Sequence, residues 1–503
     1  MKVLRTNLYL EQSQILMDFF SLLAGALLPL AFAPCNFYIL AFICPFLWLI
    51  TLRDSTIKRS VWRGWLFGLG FFGIGVSWLY ISIHTYGNTS IIIASSLTLL
   101  WIAGLALFFA LQAFCFTYFF AKRHWLSLTV GFASCWTLIE ILRSWILTGF
   151  PWLLLGNSQI STSLHGYAPI ISVYGISFIV ACTSGLFLNL WLTRKRFIYS
   201  SISILLIFLI GAILVHVQWT KPINKPITIS LVQGNIPQSV KWDPENLSVS
   251  LNRYKKLAEK NFRSRLIVFP EGAIPDLLAN QLPFVTKLSK EAKAHNSAII
   301  TGIILSNRQT GQFFNGIITV GKAQGFYLKQ HLVPFGEYVP WQHLLRGIIG
   351  FFNLPMSNLS PGPKHQPLIH IDQTQIASFL CYEIAYLNLA LDRLPQAEVL
   401  MTLSDDSWFG DSWASAQQLQ IAQMRSLESG REQIIVGNSG FTATINTQGR
   451  IVKQVPRNKV LVLHDKIQPM QGCTPLVYLS WRIEFILLLL STFICWLFAR
   501  KKR

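Results

Sequence analysis

Apolar segments long enough to cross a bilayer recur through the first half of this chain and return at its end, and they constrain the fold more than any other feature. They lie at residues 15–33, 36–52, 64–83, 90–121, 125–147, 165–192, 197–217 and about 476–499. A helix needs roughly 20 residues, at 1.5 Å each, to cover about 30 Å of hydrocarbon. With 52% hydrophobic and only 13% charged residues in 503, a soluble globular domain is excluded for much of the chain. Eight transmembrane helices are expected.

Short loops rich in Lys and Arg mark the cytoplasmic side. Basic residues fall at Lys2 and Arg5, at Arg53, Lys58, Arg59 and Arg63, at Lys122 and Arg123, at Arg194, Lys195 and Arg196, and at Arg500 to Arg503. The alternate loops "PCNF", "HTYGNTS" and "TGFPWLLLGNSQ" have none. Eight spans put every basic loop on one side and both termini in the cytoplasm. Splitting the segment 90–121 in two would break that rule, so it reads as one long tilted helix.

Lys2 and Arg5 ahead of an apolar stretch resemble a signal peptide, and "LAFAPC" resembles a lipidation site. Pro34 directly before Cys35 is wrong for such a site and seven spans follow, so no cleavage is expected. Arg482 and Glu484 interrupt the last segment and are placed at the interface, paired or snorkelling. Glu140 and Arg143, three apart in the fifth span, can neutralise one another as a structural pair, although an intramembrane charge is also a functional candidate.

The chain thus divides into a membrane domain of seven helices at 1–217, a non-cytoplasmic domain at 218–475, and a final helix with a basic tail at 476–503. The middle block holds 17 of the 22 acidic residues and 25 basic ones, a surplus of eight positive charges. No nucleic-acid motif is present, so nucleic acid is not expected as a partner. Beside a bilayer that surplus suits anionic lipid, or simply a solvated basic face.

From Pro226 onward strand-like runs alternate with helical patterns. "ITISLVQG", "SRLIVFPEG", "SAIITGIIL", "FNGIITVG", "FYLKQHLVPF", "QIASFLCYE", "EVLMTLSDD", "IIVGNSGFTATI" and "RIVKQV" read as strands. Residues 244–261, 281–295 and 412–430 read as helices, with Pro244 at a first position. Strands this apolar on both faces need cover on both, which points to a layered α/β arrangement.

Three strand ends carry reactive side chains: Glu271 in "VFPEGAIP", Lys329 in "FYLKQHLVPFGEYVP" and Cys381 in "QIASFLCYEIAY". Strand ends are where open α/β sheets handle ligands. Singly, each has an ordinary reading as turn residue, solvated lysine or small core residue. Only Cys381 and Cys473 of eight cysteines fall in the middle block. An oxidising compartment would favour joining them, but Cys473 lies beside the last span while Cys381 ends an internal strand, so two free thiols are expected. No Cys/His cluster has metal-ligand spacing, and no cofactor is expected.

Taken together, "FPEGAIP", "YLKQHLVPFGEYVP", "LCYEIAY" and "SDDSWFGDS" resemble the nitrilase superfamily, with its Glu-Lys-Cys triad on an αββα sandwich. Over the whole chain, with "GVSWLYISIHTYG", "LTGFPWLLLGNSQ" and "QGNIPQSVKWDP" in order, the sequence resembles the apolipoprotein N-acyltransferase family. That resemblance implies a bacterial inner-membrane enzyme with a periplasmic catalytic domain. It implies a fatty acyl chain, the sn-1 chain of phosphatidylethanolamine, moved from phospholipid through a Cys thioester to the amine of a diacylglyceryl apolipoprotein. The chemistry of the residues agrees: a lysine field stabilises a thiolate and then an oxyanion, while Glu271 carries the proton.

Asp405 stands where the family pattern has Asn, Gln418 where it has His, and Glu432 where Pro commonly follows "GR"; all lie outside the triad. Glu337 and Glu383 are supporting candidates, for orienting Lys329 or holding a turn, against a reading as plain surface carboxylates. Tyr382 and Trp242 are candidates for lining the site, with aromatic packing as the alternative. The stretch "YVPWQHLLRGIIGFFNLPM" has more large apolar residues than a solvated loop carries, and reads as an arm dipping into the leaflet, hinged at Gly347 and Gly350, against an ordinary buried helix. A membrane-anchored amidase or nitrilase-type hydrolase shares the triad; a transporter or receptor with a binding-only domain leaves the triad unexplained.

Overall fold

A computed structural model of the chain describes residues 2–120, 124–192, 196–340 and 358–500. It divides into two compact units, Met1–Leu79 with Ile92–Val217 and Tyr478–Arg503, and Tyr80–Ile91 with Gln218–Val477.

The first unit is helical. Its helices are α1 (Lys2–Leu27), α2 (Leu40–Arg53), α3 (Ile57–Gly75), α4 (Ile91–Phe119), α5 (Phe132–Arg143), α6 (Ala168–Leu192), α7 (Phe197–Leu214) and a C-terminal helix, Trp481–Arg500. Every expected apolar segment carries a helix, and 90–121 forms one, of 29 residues. Among the described residues four stretches are long and apolar enough to cross a membrane: Ser13–Ala31, Ile91–Phe119, Ser163–Leu192 and Phe197–Leu214. A fifth arises if Ile57–Gly75 and Leu79–Tyr86, bent by 60°, are one span. By length and composition four or five of the eight expected spans qualify; α2 and α5, with 14 and 12 residues, are among those that do not.

Helix α4 is apolar all round, so some of its leucines face outward: Leu99, Leu100 and Leu107 are exposed. Inside, Trp48 stacks on Phe67 at 4.5 Å and Phe109 meets Trp136 edge-on at 5.5 Å. Gly25 lets α1 and α3 touch, since a Cβ there would fall 2.0 Å from the Phe67 carbonyl oxygen. The expected pairing of Glu140 with Arg143 takes an indirect form. Glu140 Oε1 accepts from Leu155 N at 2.7 Å and Trp136 Nε1 at 3.0 Å, while Arg143 donates to the carbonyls of Phe150 and Trp152, so both buried charges fasten the same loop. Glu484 accepts from Ser172 Oγ at 2.9 Å, where α6 breaks its helical backbone.

The second unit is built on strands β1 (Ile227–Gln233), β2 (Leu266–Val268), β3 (Ile274–Leu277), β4 (Ala298–Asn307), β5 (Gln312–Gly321), β6 (Ala323–Gln324) and β7 (Phe326–Leu328). They continue with β8 (Ile369–Ile371), β9 (Thr374–Leu380), β10 (Val399–Ser404), β11 (Glu432–Gly437), β12 (Thr442–Ile445), β13 (Ile451–Val455) and β14 (Leu461–Ile467). Among the described residues these make two seven-stranded sheets. One runs β14-β1-β2-β4-β5-β7 with β3 on β4; the other runs β13-β12-β11-β10-β9-β8-β6. Parallel trios, β1-β2-β4 and β9-β10-β11, form the middle of each.

Alternation along the strands sorts the side chains into layers. Leu231, Val268 and Ile300 of the first sheet pack in one buried cluster with Leu380, Met401 and Ile434 of the second. Their strand neighbours Val232, Ile267 and Ile299 face Tyr254 and Ala258 of α8 (Leu247–Glu259) and Leu288 and Ala292 of α9 (Leu282–Ala294). Helix α10 (Ala414–Ser429) packs on β11 and is buried almost throughout. The result is the expected αββα sandwich, with two apolar sheet faces hidden from water.

Several strand expectations change. "FYLKQHLVPF" is a strand only over β7, because Gln330 and His331 turn their N–H groups to a buried carboxylate instead of a neighbouring strand. "IIVGNSGFTATI" splits into the hairpin β11 and β12. Strand β14 was not anticipated, yet it pairs with the whole of β1, from Leu461↔Gln233 to Ile467↔Ile227. Pro244 opens a short 3-10 turn, with Asp243 Oδ1 accepting from Glu245 N at 3.1 Å, that runs into α8. The apolar arm, from Trp341 through Leu354 and including Gly347 and Gly350, lies outside the described residues. Cys381 and Cys473 are both free thiols.

Candidate active site

The two sheets bring the sequence candidates together at their strand ends. Glu271 follows β2 by three residues, Lys329 directly follows β7, and Cys381 directly follows β9. Gly302 on β4 makes room for the first, since a Cβ there would sit 2.8 Å from Glu271 Cα. Lys329 N donates to Asn315 O at 2.9 Å, which extends the β5–β7 ladder by one rung and aims the lysine inward.

Cys381 has φ +55° at the point where β9 gives way to a 3-10 turn. A non-glycine residue in the left-handed region costs about 1 kcal/mol or more and persists only where its surroundings impose it. Here the surroundings are Glu383. Its Oε2 accepts from Leu380 N at 2.8 Å, and its Oε1 accepts from Gln330 N at 2.7 Å and His331 N at 3.0 Å. Tyr327 OH donates to the same carboxylate at 3.0 Å. Glu383 is fully buried, and it ties the turn carrying the thiol to the segment that follows the lysine.

Lys329 Nζ donates to Glu337 Oε1 at 2.9 Å and to Glu271 Oε1 at 3.2 Å. Its side chain is 2% exposed, and those of the two glutamates about 10%. Burial alone would lower the lysine's pKa, but the carboxylates of Glu271 and Glu337 outweigh it and hold the ammonium well above its ordinary value. The thiol is pushed well above its ordinary value, first by burial and then by the Glu271 charge, with Lys329 opposing. The lysine field expected to stabilise a thiolate is thus opposed by burial and by the carboxylates that already pair with that cation. Glu337 is further held by Val333 N, which donates to Oε2 at 2.8 Å.

Tyr382 donates from its hydroxyl to Leu332 O at 2.7 Å, and Lys329 Nζ stands 5.7 Å from its ring centroid. Trp242 lies against the backbone following Glu271, within 3.5 Å of where a Cβ on Gly272 would be. Both lining candidates thus reach the cluster.

Three residues escaped sequence reasoning. Asn315, buried in the middle of β5, donates from Nδ2 to Glu271 Oε1 at 2.7 Å and to Glu337 Oε1 at 2.8 Å. Its one signal was an amide inside the apolar run "FNGIITVG". Lys241, in a short turn after β1, donates to Asp405 Oδ2 at 2.5 Å. Asp406 is buried beside Ser404, whose hydroxyl it accepts, and burial raises its pKa to about 6, against that hydrogen bond. Asp406 in turn pushes the Cys381 thiol upward, while a hydrogen bond from Ser404 pulls it down.

The departures from the family pattern find partners. Asp405 is the counter-charge of Lys241. Gln418 donates to Ser404 Oγ at 3.1 Å and lines a small cavity with Asp406 and Ser415. Glu432 Oε2 accepts from Gln468 N at 2.7 Å, far from the thiol in the chain.

Glutamate, lysine and cysteine converging on one strand-end cluster of an αββα sandwich place this domain in the carbon-nitrogen hydrolase class, and the model of that family, Carbon-nitrogen hydrolase, matches residues 228–470. A second, Apolipoprotein N-acyltransferase N-terminal domain, matches residues 24–186. The chain is 44% identical to the apolipoprotein N-acyltransferase of Coxiella burnetii, over 91% of this chain and 95% of that one. It is 42% identical to that of Pseudomonas aeruginosa strain PAO1, over 92% of each. Saccharomyces cerevisiae Nit3, of known structure, aligns with 50% of this chain and 92% of its own at a TM-score of 0.36 and 16% identity. The chain belongs to the apolipoprotein N-acyltransferase family, and it is an enzyme.

Proposed function

We propose that this enzyme transfers a fatty acyl chain from a membrane phospholipid, through a thioester on Cys381, to the free α-amine of the diacylglyceryl-cysteine that begins an apolipoprotein, the last step of lipoprotein maturation. The carrying observation is the Lys329 ammonium shared between Glu271 and Glu337 at the strand ends where the strained Cys381 also lies.

In the first half-reaction Sγ attacks the ester carbonyl while Glu271 takes the thiol proton. Proton transfer accompanies attack, because burial and the Glu271 charge push the thiol's pKa well above its ordinary value. Lys329 stabilises the oxyanion. Collapse breaks the C–O bond, and Glu271 returns its proton to the leaving alkoxide, releasing a lysophospholipid. In the second, the neutral amine attacks the thioester carbonyl, Glu271 accepts the ammonium proton, and C–S cleavage leaves a thiolate that the proton restores to thiol. The products are an amide and free enzyme, in ping-pong order. Glu337, Glu383 and Asn315 act through Lys329 and Glu271; Tyr382 and Trp242 line the site.

The topology that serves this chemistry is eight spans, both termini cytoplasmic, with residues 218–475 on the periplasmic face of a bacterial inner membrane between the membrane domain 1–217 and the last helix 476–503. The alternation of basic loops supports it. Acyl donor and lipidated acceptor then reach the thiol from the same leaflet.

The test is incubation of the full-length chain with phospholipid vesicles, followed by mass spectrometry of Cys381 peptides. An acyl adduct that appears with the wild-type chain and vanishes with Cys381→Ser is expected. An adduct unchanged in Cys381→Ser sinks the assignment.

A further inference from the structure

The geometry points to Lys241, anchored by Asp405, as a positioning residue for Glu271. This rests on the reading of Glu271 as the base. Lys241 comes from the turn after β1 in the first sheet, and Asp405 directly follows β10 in the second. Their side chains are 1% and 6% exposed, with Nζ 2.5 Å from Oδ2. A buried ion pair is weak evidence for stability, and this one grips a single residue at both ends. Lys241 Nζ donates to the Glu271 carbonyl oxygen at 3.0 Å, and Asp405 N donates to Glu271 Oε2 at 3.0 Å.

With Oε2 tied to the Asp405 backbone, Oε1 is left to Lys329 and Asn315. The plane of the carboxylate is thereby set. Asp405 is itself immobilised: its Oδ1 accepts from Ser407 Oγ at 2.7 Å and from Asn438 Nδ2 at 3.2 Å. With its amide oriented to satisfy both neighbours, Gln238 donates to Asp405 Oδ2 at 3.2 Å and accepts from Trp242 Nε1 at 3.1 Å, which carries the same anchorage to a lining residue. The charged and titratable groups around Glu271 are Lys329, Glu337 across Asn315, Lys241 with Asp405, Cys381 and Asp406.

The variants are Lys241→Met, Lys241→Met with Asp405→Asn, and Glu271→Gln as control. Each is made in the full-length chain and assayed for Cys381 acylation per folded molecule over a range of phospholipid concentrations, with thermal unfolding measured in parallel. Lys241→Met should slow acylation about 100-fold, the effect of misplacing a reacting group by about 1 Å, with KM for phospholipid little changed. It should also unfold at lower temperature, because the Asp405 carboxylate is left buried without its cation. The double variant removes that stray charge, so its unfolding temperature should return toward the wild-type value while acylation stays slow for want of the donor. A normal rate per folded molecule in Lys241→Met, or a loss that falls on KM and not on the rate, overturns the positioning role. Glu271→Gln separates the two readings: if it is inactive while Lys241→Met is normal, only the positioning role fails, and if it still acylates Cys381, the base itself is misassigned.

Discussion

Lys329 Nζ lies 3.2 Å from Glu271 Oε1, so the buried cation of the site is paired with a carboxylate from another strand end of the same sheet. In the proposed mechanism, proton transfer to Glu271 and attack by the thiol are then a single event.

Replacing Lys329 with Met removes the proposed oxyanion donor and strands Glu271 and Glu337 in a buried site. Thioester formation should fall by about 100- to 1,000-fold, the loss typical of one such donor. Unfolding free energy should drop by about 3–5 kcal/mol, as for breaking a buried pair. Stopped-assay release of lysophospholipid and denaturant unfolding in detergent check the two halves; full activity would refute the role.

Asn315→Ala deletes two hydrogen bonds to carboxylates. At about 1.5–3 kcal/mol for each bond to a charged group, a tenfold or greater fall in acylation rate is expected, with the phospholipid KM little affected. Asn315→Asp should be worse, since it sets a third carboxylate against Glu271 and Glu337. If the aspartate variant outperforms the alanine one, Asn315 is not aligning the two acids.

Burial raises the Glu383 carboxyl to about 7, against the Leu380 N–H, the Lys329 charge and the His331 and Gln330 N–H groups. A carboxyl whose folded pKa exceeds its unfolded one adds stability in full below the unfolded value and loses it as pH rises through the folded value. Between about pH 4.5 and 7 this group should therefore cost the fold about 3 kcal/mol as pH increases. Melting curves over that window should show a shallower decline in Glu383→Gln than in wild type. Parallel pH profiles would show that the carboxyl titrates elsewhere.

Asp406 pushes the Cys381 thiol pKa up. Asp406→Asn keeps an acceptor for Ser404 and removes the charge, so the thiol should become more acidic. Alkylation of Cys381 by iodoacetamide should then reach half its maximal rate at a lower pH than in wild type. An unmoved or higher midpoint would contradict the electrostatic link.

How much of this was legible in the amino-acid order depends on the range of the interaction concerned. Spans, helices and the alternating strands follow from periodicity over 10–30 neighbouring residues, which is why α4 and the helices α8, α9 and α10 fall close to where they are expected. The strand ends carrying Glu271, Lys329 and Cys381 were marked by local motifs. Strand β14, with its polar His464 and Asp465 beside apolar neighbours, declares itself only by pairing with β1, more than 220 residues away in the chain.

By itself, then, the sequence determined that the chain is membrane-bound, that a layered α/β domain follows, and which three side chains to watch, because hydropathy and turn chemistry act locally. Only the tertiary structure decided that Asn315 joins two glutamates, that Lys241 meets Asp405, and that Lys329 pairs with two carboxylates while burial pushes the thiol's pKa up. Those outcomes depend on which strand ends meet across two sheets and how deeply they are buried. Burial sets the balance between desolvation and charge attraction, a property of packing that no single stretch of sequence carries.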